Sequence, residues 1–252
     1  MDELPAHRAL SFGSVAARYA LHRPGYPDDA VAWALESLPN SARILDLAAG
    51  TGKLTEAILR CGISAASVLA VEPDAGMRAE LCRRMPQIAV RAGSAEQIPA
   101  DDGALQAVLV GQAFHWFDPD RALAEITRVL LPGGVLAVLG NTEDDSVPWV
   151  AELTEATQAA RTVGSVGRGF ADIPEHPAFS GPQQRRFPWR WPLTVGSLLE
   201  NVSTHSWALI SPPDQRATAF EVIRRFLEQH PATRDGAFEL PMLTRVLRTT
   251  RT

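Results

Sequence analysis

The twelve residues ILDLAAGTGKLT, from Ile44 to Thr55, constrain the fold more than any other part of the chain. Four of the first five are apolar, as in the strands of a parallel sheet that is covered on both faces. Gly50 and Gly52 follow, and the segment KLTEAILR then predicts a helix that ends near Cys61. Such a strand, turn and helix form a ligand-binding crossover, because the glycines admit a ligand and the helix start presents unpaired N–H groups.

The residues around this turn favour one class of ligand over another. A dinucleotide fingerprint requires a third glycine where this chain has Thr55. Asp46, at the end of the strand, repels a pyrophosphate but suits a ligand with a cationic amine. The turn resembles motif I (acid-x-Gly-x-Gly-x-Gly) of the class I S-adenosylmethionine-dependent methyltransferases. Ala48 replaces the family's first glycine, and Gly50 and Gly52 match the other two.

A second apolar strand, from Ser67 to Pro73, ends in another acid, Glu72. A carboxylate at that position accepts hydrogen bonds from the hydroxyls of a ribose; the alternative is a solvated loop carboxylate. Asp74 is a candidate N-cap for the helix that follows. We expect Met77 on that helix either to pack against the adenine or to belong to the core.

Three later segments resemble the type 11 group of these methyltransferases. Gly93–Pro99 is similar to its G-D-A-E-x-L-P loop, and Arg128–Gly134 matches its R-V-L-x-P-G-G block. The loop resemblance implies that Ser94 and the backbone of Ala95 contact the adenine, and it leaves Glu96 as a ligand or an exposed acid. The QAFHWF run, starting at Gln112, resembles a branch with relatives of trans-aconitate methyltransferase and many enzymes of bacterial secondary metabolism.

Open α/β sheets bind ligands outside the carboxyl ends of their strands. Asp46, Glu72, Ser94 and Gln112 follow four predicted strands, so we expect them to converge on one crevice. The predicted cofactor-binding set is Tyr19, Arg23, Asp46, Ala48, Ala49, Gly50, Thr51, Gly52, Leu54, Thr55, Glu72, Pro73, Met77, Ser94, Ala95, Glu96 and Gln112.

The segment from Ser11 to Pro27 resembles the first helix and the R-P-x-Y-P element of the same family. The resemblance implies that Tyr19 covers the methionine portion of the cofactor. Arg23 suits its carboxylate, because a guanidinium binds a carboxylate through two parallel hydrogen bonds. The alternative is that Arg23 and Tyr26 only fasten this segment to the domain.

The family resemblance also implies the architecture. We expect an α/β, Rossmann-like, doubly wound sheet of seven mostly parallel strands, with an antiparallel last strand (Phe238–Arg251) between strands five and six. A single domain spans residues 1–252. It divides into an N-terminal helical cap (1–40), a cofactor-binding core (41–141), a lid insertion after strand five that roofs the substrate pocket (142–182), and C-terminal strands and helices (183–252).

Composition is that of an ordinary single-domain enzyme. The 252 residues carry a net charge of −5, which implies no general affinity for nucleic acid or anionic membranes. Cys61 and Cys82 lack metal-ligand spacing, and we interpret them as buried or half-buried thiols in a reducing compartment. The sequence shows neither a signal peptide nor a run of transmembrane length. We therefore expect a cytoplasmic protein without a metal.

The chemistry expected is methyl transfer from S-adenosylmethionine to an O or N atom of a small molecule, with S-adenosylhomocysteine as product. His115 is the best candidate for a general base, since its usual pKa suits proton transfer near neutrality. The alternative is that His115 is only a packed ring. An acceptor that is already a carboxylate needs no base. His205 and Trp207 are candidates for the acceptor pocket. The alternatives are a non-methylating S-adenosylmethionine-binding protein (a cyclase or a regulatory binder) and an NAD-dependent oxidoreductase. The acceptor and the oligomeric state stay open.

Overall fold

A computed structural model describes residues 16–159 and 172–252. Its strands are β1 (Ile44–Leu47), β2 (Val68–Val71), β3 (Ala89–Arg91), β4 (Leu105–Gly111), β5 (Leu130–Glu143), β6 (Gln183–Thr194) and β7 (Ala237–Thr250). They form one sheet in the order β3-β2-β1-β4-β5-β7-β6. The first five strands are parallel, and β7 lies antiparallel between β5 and β6. The predicted seven-stranded topology is therefore confirmed.

The described helices include the one predicted after the glycine turn, at Lys53–Arg60. They are α1 (Ala16–His22), α2 (Asp28–Leu35), α3 (Lys53–Arg60), α4 (Ala75–Arg84), α5 (Pro119–Val129), α6 (Pro148–Ala159), α7 (Val195–Ser203), α8 (Ser206–Ile210) and α9 (Pro213–Gln229), with 3-10 turns at Ala65–Ser67 and Phe114–Trp116. Asp74 caps α4 by accepting a hydrogen bond from the Met77 N–H at 2.9 Å, and Asp118 caps α5. Among the described helices, none is long and apolar enough to cross a membrane.

The sheet buries both of its faces, as the apolar run in β1 predicts. One face packs under α2, α3 and α4, and the other packs under α5. Because successive side chains of a strand point to opposite faces, Asp46 shares the first face with Ile44. Leu109 of β4 and Leu139 of β5 belong to the same apolar cluster as Ile44. Asp46 is therefore a buried carboxylate at the carboxyl end of an apolar face.

The β6–β7 hairpin extends past the end of β5. Glu143, the last residue of β5, pairs with Met242, whereas the pairing of β6 with β7 continues to Thr194 and Ala237. Helices α6, α7 and α9 cover this extension and form a third apolar cluster with it. Its helix α7 reaches the N-terminal cap, where Asn201 Nδ2 donates to the carbonyl of His22 at 2.9 Å.

Two sequence predictions need correction here. Part of the predicted lid does not roof the site: the Ser180 N–H donates to the carbonyl of Thr250, whose β5 partner is Val135 near the start of that strand. Residues 178–180 thus lie at the opposite edge of the sheet from the carboxyl ends. Residues 160–171 of the predicted lid lie outside the described residues. Cys82, predicted to be at least half-buried, is exposed because it lies on the outer side of α4.

Candidate cofactor site

Two adjoining cavities open at the carboxyl ends of β1, β2 and β4. They share five lining residues, namely Tyr19, Ala48, Gly50, Gly111 and Gln112. The first cavity is otherwise lined by Arg23, Pro24, Tyr26, Asp46, Ala49, Thr51, Lys53, Leu54 and Asn141. The second is otherwise lined by Glu72, Pro73, Met77, Ser94, Ala95, Glu96, Ala113, Trp116 and Phe117. The predicted convergence therefore occurs, and every predicted cofactor residue except Gly52 and Thr55 lines one of the cavities.

The two glycines of the turn are needed for different reasons. Both have left-handed backbone angles, with φ of +57° at Gly50 and +87° at Gly52. A Cβ on Gly50 would meet no atom within 4 Å, so this position leaves open space beside both cavities. A Cβ on Gly52 would overlap the Cε of Met85. Gly50 therefore makes room for a ligand, whereas Gly52 allows α3 to pack closely against α4.

Asp46 lies at the base of the first cavity with one oxygen unpartnered. Its carboxyl group is 1% exposed, and its Oδ2 accepts a hydrogen bond from Thr55 Oγ1 at 2.5 Å. Its Oδ1 is buried without a partner, as is the hydroxyl of Thr51 on the same cavity wall. Burial raises the pKa of Asp46 to about 7. Since buried polar atoms are nearly always hydrogen-bonded, these two fit a site for a polar ligand group.

Thr55 has a role that the motif comparison did not reveal. Where a dinucleotide fingerprint has its third glycine, Thr55 is fully buried and directs its hydroxyl to Asp46. That hydrogen bond favours the ionised carboxylate and so offsets part of the effect of burial on the pKa. Thr55 is therefore a support for Asp46 and not a residue of the cavity wall.

Glu72 holds the cofactor turn to the end of β2. It is 7% exposed, which excludes the solvated-loop alternative. Its Oε2 accepts a hydrogen bond from the Gly50 N–H, and its Oε1 accepts one from the Asp74 N–H, each at 2.9 Å. Burial raises the pKa of Glu72, and these two backbone donors act in the opposite direction. Each carboxylate oxygen retains acceptor capacity for a ribose hydroxyl.

Apolar and aromatic side chains form much of the second cavity. Met77 and Ala95 are buried and line its wall, so the packing of Met77 against an adenine stays a prediction. Sequence reasoning missed Trp116 and Phe117, which line the same cavity. The QAFHWF run contains both residues, so its aromatic side chains were the available signal for this wall. Glu96 lines the cavity and also accepts a hydrogen bond from the Asp118 N–H at 3.1 Å.

His115 lies outside both cavity walls. Its side chain is exposed, with its ring 4.7 Å from that of Trp116, and neither cavity includes it. Partial burial lowers its pKa. His115 is not the packed ring of the alternative interpretation, because the buried aromatic residue of this short turn is Phe114. His205 and Trp207 likewise line neither cavity, and Trp207 belongs to the third apolar cluster.

Arg23 fastens the N-terminal segment to the domain and also lines the first cavity. Its Nε and Nη2 donate to the hydroxyl and the carbonyl of Thr204 at 2.9 and 3.0 Å, which fastens the N-terminal segment to the end of α7. Arg23 also lines the first cavity, and its guanidinium lies 4.9 Å from the ring centroid of Tyr19. Its contact with Thr204 joins residues 181 positions apart, so no local pattern predicts it.

Asn141 is a wall residue that the sequence did not indicate. It follows Leu139 on the same face of β5, and its Nδ2 donates to the carbonyl of Gly25 at 2.8 Å. Its Oδ1 accepts from Thr244 Oγ1 at 2.6 Å, and its carbonyl accepts from Gln112 Nε2 at 2.9 Å. Asn141 thus connects the N-terminal segment, β7 and the residue after β4.

Comparison with known proteins identifies the family. A family model described as a methyltransferase domain matches residues 45–138. An uncharacterized methyltransferase of Mycobacterium tuberculosis is 38% identical over 243 residues, which cover 96% of each chain. A demethylmenaquinone methyltransferase of Beutenbergia cavernae is 33% identical over 161 residues, covering 59% of this chain and 62% of that protein.

A solved structure shows the same fold. A type II methyltransferase structure from Anaeromyxobacter dehalogenans superposes with a TM-score of 0.66 at 22% identity, covering 91% of this chain and 97% of that one. Together with the crevice built from Asp46, Gly50 and Glu72, these similarities make S-adenosylmethionine the cofactor and methyl transfer the reaction. The chain belongs to the class I S-adenosylmethionine-dependent methyltransferases.

Proposed function

We propose that this enzyme methylates an O or N atom of a small molecule, with the cofactor extended across both cavities. The observation that carries the proposal is the pair of adjoining cavities that meet at Gly50 and Gln112. The second cavity, with Met77 and Ala95, suits an adenosine. The first cavity, with the unpartnered oxygen of Asp46, suits the polar amino-acid portion.

The charges of the first cavity complement a zwitterion. Asp46 attracts an ammonium group, whereas Arg23 and Lys53 offer positive charge to a carboxylate. Burial lowers the pKa of Lys53, because it disfavours the charged amine. A carboxylate bound nearby would stabilise that charged form. Glu72 provides acceptors for the ribose hydroxyls at the start of the second cavity.

Bound S-adenosylmethionine supplies an electrophilic methyl group, so the protein mainly aligns the acceptor and excludes water. Tyr19 and Gln112, which line both cavities, are positioned to shape the junction where the acceptor arrives. Among the described wall residues, the carboxylates are Asp46, Glu72 and Glu96. All three have proposed cofactor roles. His115 lies outside both walls but next to Trp116 of the second cavity, so it stays our proposed base for an acceptor that must lose a proton.

One relative and the net charge of the chain support a small-molecule acceptor. The Beutenbergia cavernae relative is named for demethylmenaquinone, which favours a small-molecule acceptor here. The net charge of −5 disfavours a nucleic acid, whose phosphates require a basic surface. A cytoplasmic location is part of the same proposal.

Calorimetric titration with S-adenosylmethionine, S-adenosylhomocysteine and NAD tests the cofactor site. We expect micromolar binding of S-adenosylmethionine and S-adenosylhomocysteine and no binding of NAD. A screen of small-molecule acceptors with labelled methyl donor then tests the acceptor class. Binding of NAD alone, or labelling confined to added RNA or DNA, would refute the proposal.

A further inference from the structure

A notch at the end of β4 receives the side chain of Tyr26. Gly111 has no side chain, and a Cβ placed there would lie 2.5 Å from the Tyr26 hydroxyl and 3.1 Å from Cζ of the ring. Asp46 lies on the neighbouring strand β1 and Asn141 on the neighbouring strand β5, both on the same face as Gly111. The Tyr26 hydroxyl therefore lies at the end of β4, in the wall of the first cavity that Asp46 and Asn141 also line.

The backbone around Tyr26 is fixed from both sides. Asn141 Nδ2 donates to the carbonyl of Gly25 at 2.8 Å. Arg60, at the end of α3, donates to the carbonyl of Tyr26 at 2.9 Å and pairs with Asp28. The Tyr26 ring is 6% exposed within the apolar cluster of α2 and α3. Such a side chain has little freedom, so its hydroxyl occupies a defined position before any ligand arrives.

The hydroxyl and Asp46 face the same cavity without bonding to each other. Asp46 Oδ1 is buried and unpartnered, and Tyr26 lines the wall beside it. Burial and the nearby Asp46 charge raise the pKa of Tyr26, so its hydroxyl stays neutral and keeps acceptor lone pairs. An ammonium group has three N–H donors, and a single carboxylate oxygen satisfies only part of that capacity.

We propose that the Tyr26 hydroxyl and Asp46 Oδ1 together bind the ammonium group of the amino-acid portion of S-adenosylmethionine. The inference rests on the proposed function, in which the first cavity holds that portion. It assigns Tyr26 to cofactor recognition and not merely to fastening the N-terminal segment. It also explains why position 111 is a glycine, since any side chain there would displace the hydroxyl from the notch.

The test compares two ligands, S-adenosylhomocysteine and its deaminated analogue, in which hydrogen replaces the ammonium group. Calorimetry on the full chain measures both affinities for the wild type and for Tyr26→Phe, which keeps the packed ring. We expect Tyr26→Phe to weaken S-adenosylhomocysteine by about tenfold or more and the analogue by less than about twofold, since a hydrogen bond to a charged group is lost. Tyr19→Phe removes the other tyrosine hydroxyl that lines the first cavity and shows whether the selectivity belongs to Tyr26 alone, in which case Tyr19→Phe shows none.

Each other outcome refutes something specific. Equal loss for both ligands, or no loss for either, would return Tyr26 to a purely structural role. The same selective loss in Tyr19→Phe would assign the ammonium contact to Tyr19 as well and refute its assignment to Tyr26 alone. Wild-type affinities equal for the two ligands would eliminate an ammonium subsite. A wild type that binds neither ligand would instead overturn the proposed cofactor site itself.

Discussion

Replacement of Asp46 by asparagine should stabilise the ligand-free protein while weakening cofactor binding. The carboxylate is buried, and burial raises its pKa to about 7 from an ordinary 3.8. Asparagine has nearly the same shape and can still accept the hydrogen bond from Thr55 through its carbonyl. Asparagine carries no charge, so the free energy needed to remove a charged group from water no longer destabilises the folded state.

The magnitude follows from the pKa and depends on pH. Below pH 4 the carboxyl group is neutral in both folded and unfolded chains, so its ionisation costs nothing. Between pH 4 and pH 7 the unfolded chain ionises and the fold does not, so stability falls as pH rises. Above pH 7 the cost levels off at about 4 kcal/mol, since about 1.4 kcal/mol applies per pH unit between 3.8 and 7.

The assay is urea unfolding of the wild type and Asp46→Asn at pH 5 and pH 8 without ligand. An unpartnered buried amide costs about 1–3 kcal/mol, but that cost is the same at both pH values. The advantage of the variant should therefore grow by about 2.5 kcal/mol from pH 5 to pH 8. Wild-type affinity for S-adenosylhomocysteine should fall by about tenfold from pH 8 to pH 6, as Asp46 becomes protonated.

Two results would refute this reasoning. An advantage that does not change with pH would mean that Asp46 titrates normally and is not strained by burial. Undiminished affinity of Asp46→Asn for S-adenosylhomocysteine would mean that the unpartnered oxygen does not face the ligand. Thr51→Val is a matched control, because it removes another unpartnered buried oxygen without a titratable charge.

Three further predictions concern neighbouring residues. In Glu72→Gln, one of the two backbone N–H donors that now bond the carboxylate would face an amide NH2 group. Calorimetry should therefore show that S-adenosylhomocysteine binds at least about tenfold more weakly. Unchanged affinity would contradict the ribose role of Glu72. Gly52→Ala should lower the free energy of unfolding, measured in urea, by about 1–3 kcal/mol. Adding Met85→Ala should restore part of that loss, and no restoration would mean that the overlap with Met85 is not its cause. If His115 is the base, His115→Gln should lower kcat by about 100-fold or more without changing the Kd of S-adenosylhomocysteine, whereas a fall below threefold removes it from the mechanism.

Much of the cofactor site was predictable because its residues follow strands. The apolar run of β1, the glycine turn and the second acid, Glu72, each mark the carboxyl end of a parallel strand. Parallel pairing brings those ends to one edge whatever the details of packing. For this reason Asp46, Gly50, Glu72 and Gln112 meet as expected.

Other features depend on where the chain and its side chains turn after each strand, which residue patterns do not reveal. A 3-10 turn after β4 directs Trp116 to the cavity and leaves His115 exposed, which the letters QAFHWF do not reveal. Residues 178–180 follow the end of β7 to the amino edge of the sheet, because the antiparallel strand runs away from the site. Arg23 is held by Thr204, far away in the chain.

The resemblance to a methyltransferase family implied the cofactor and the full strand order. Local patterns by themselves suffice for an α/β sheet and for the edge of it where a ligand binds. These features depend on strand periodicity, on backbone angles at a turn and on the free N–H groups of a helix start, all set by residues close in sequence. Which polar atoms of the site have hydrogen-bond partners cannot be predicted in this way, because it depends on contacts between residues far apart in the chain. Only the folded chain shows that Asp46 keeps an oxygen free, that Thr55 supports it, and that Tyr26 reaches the notch at Gly111.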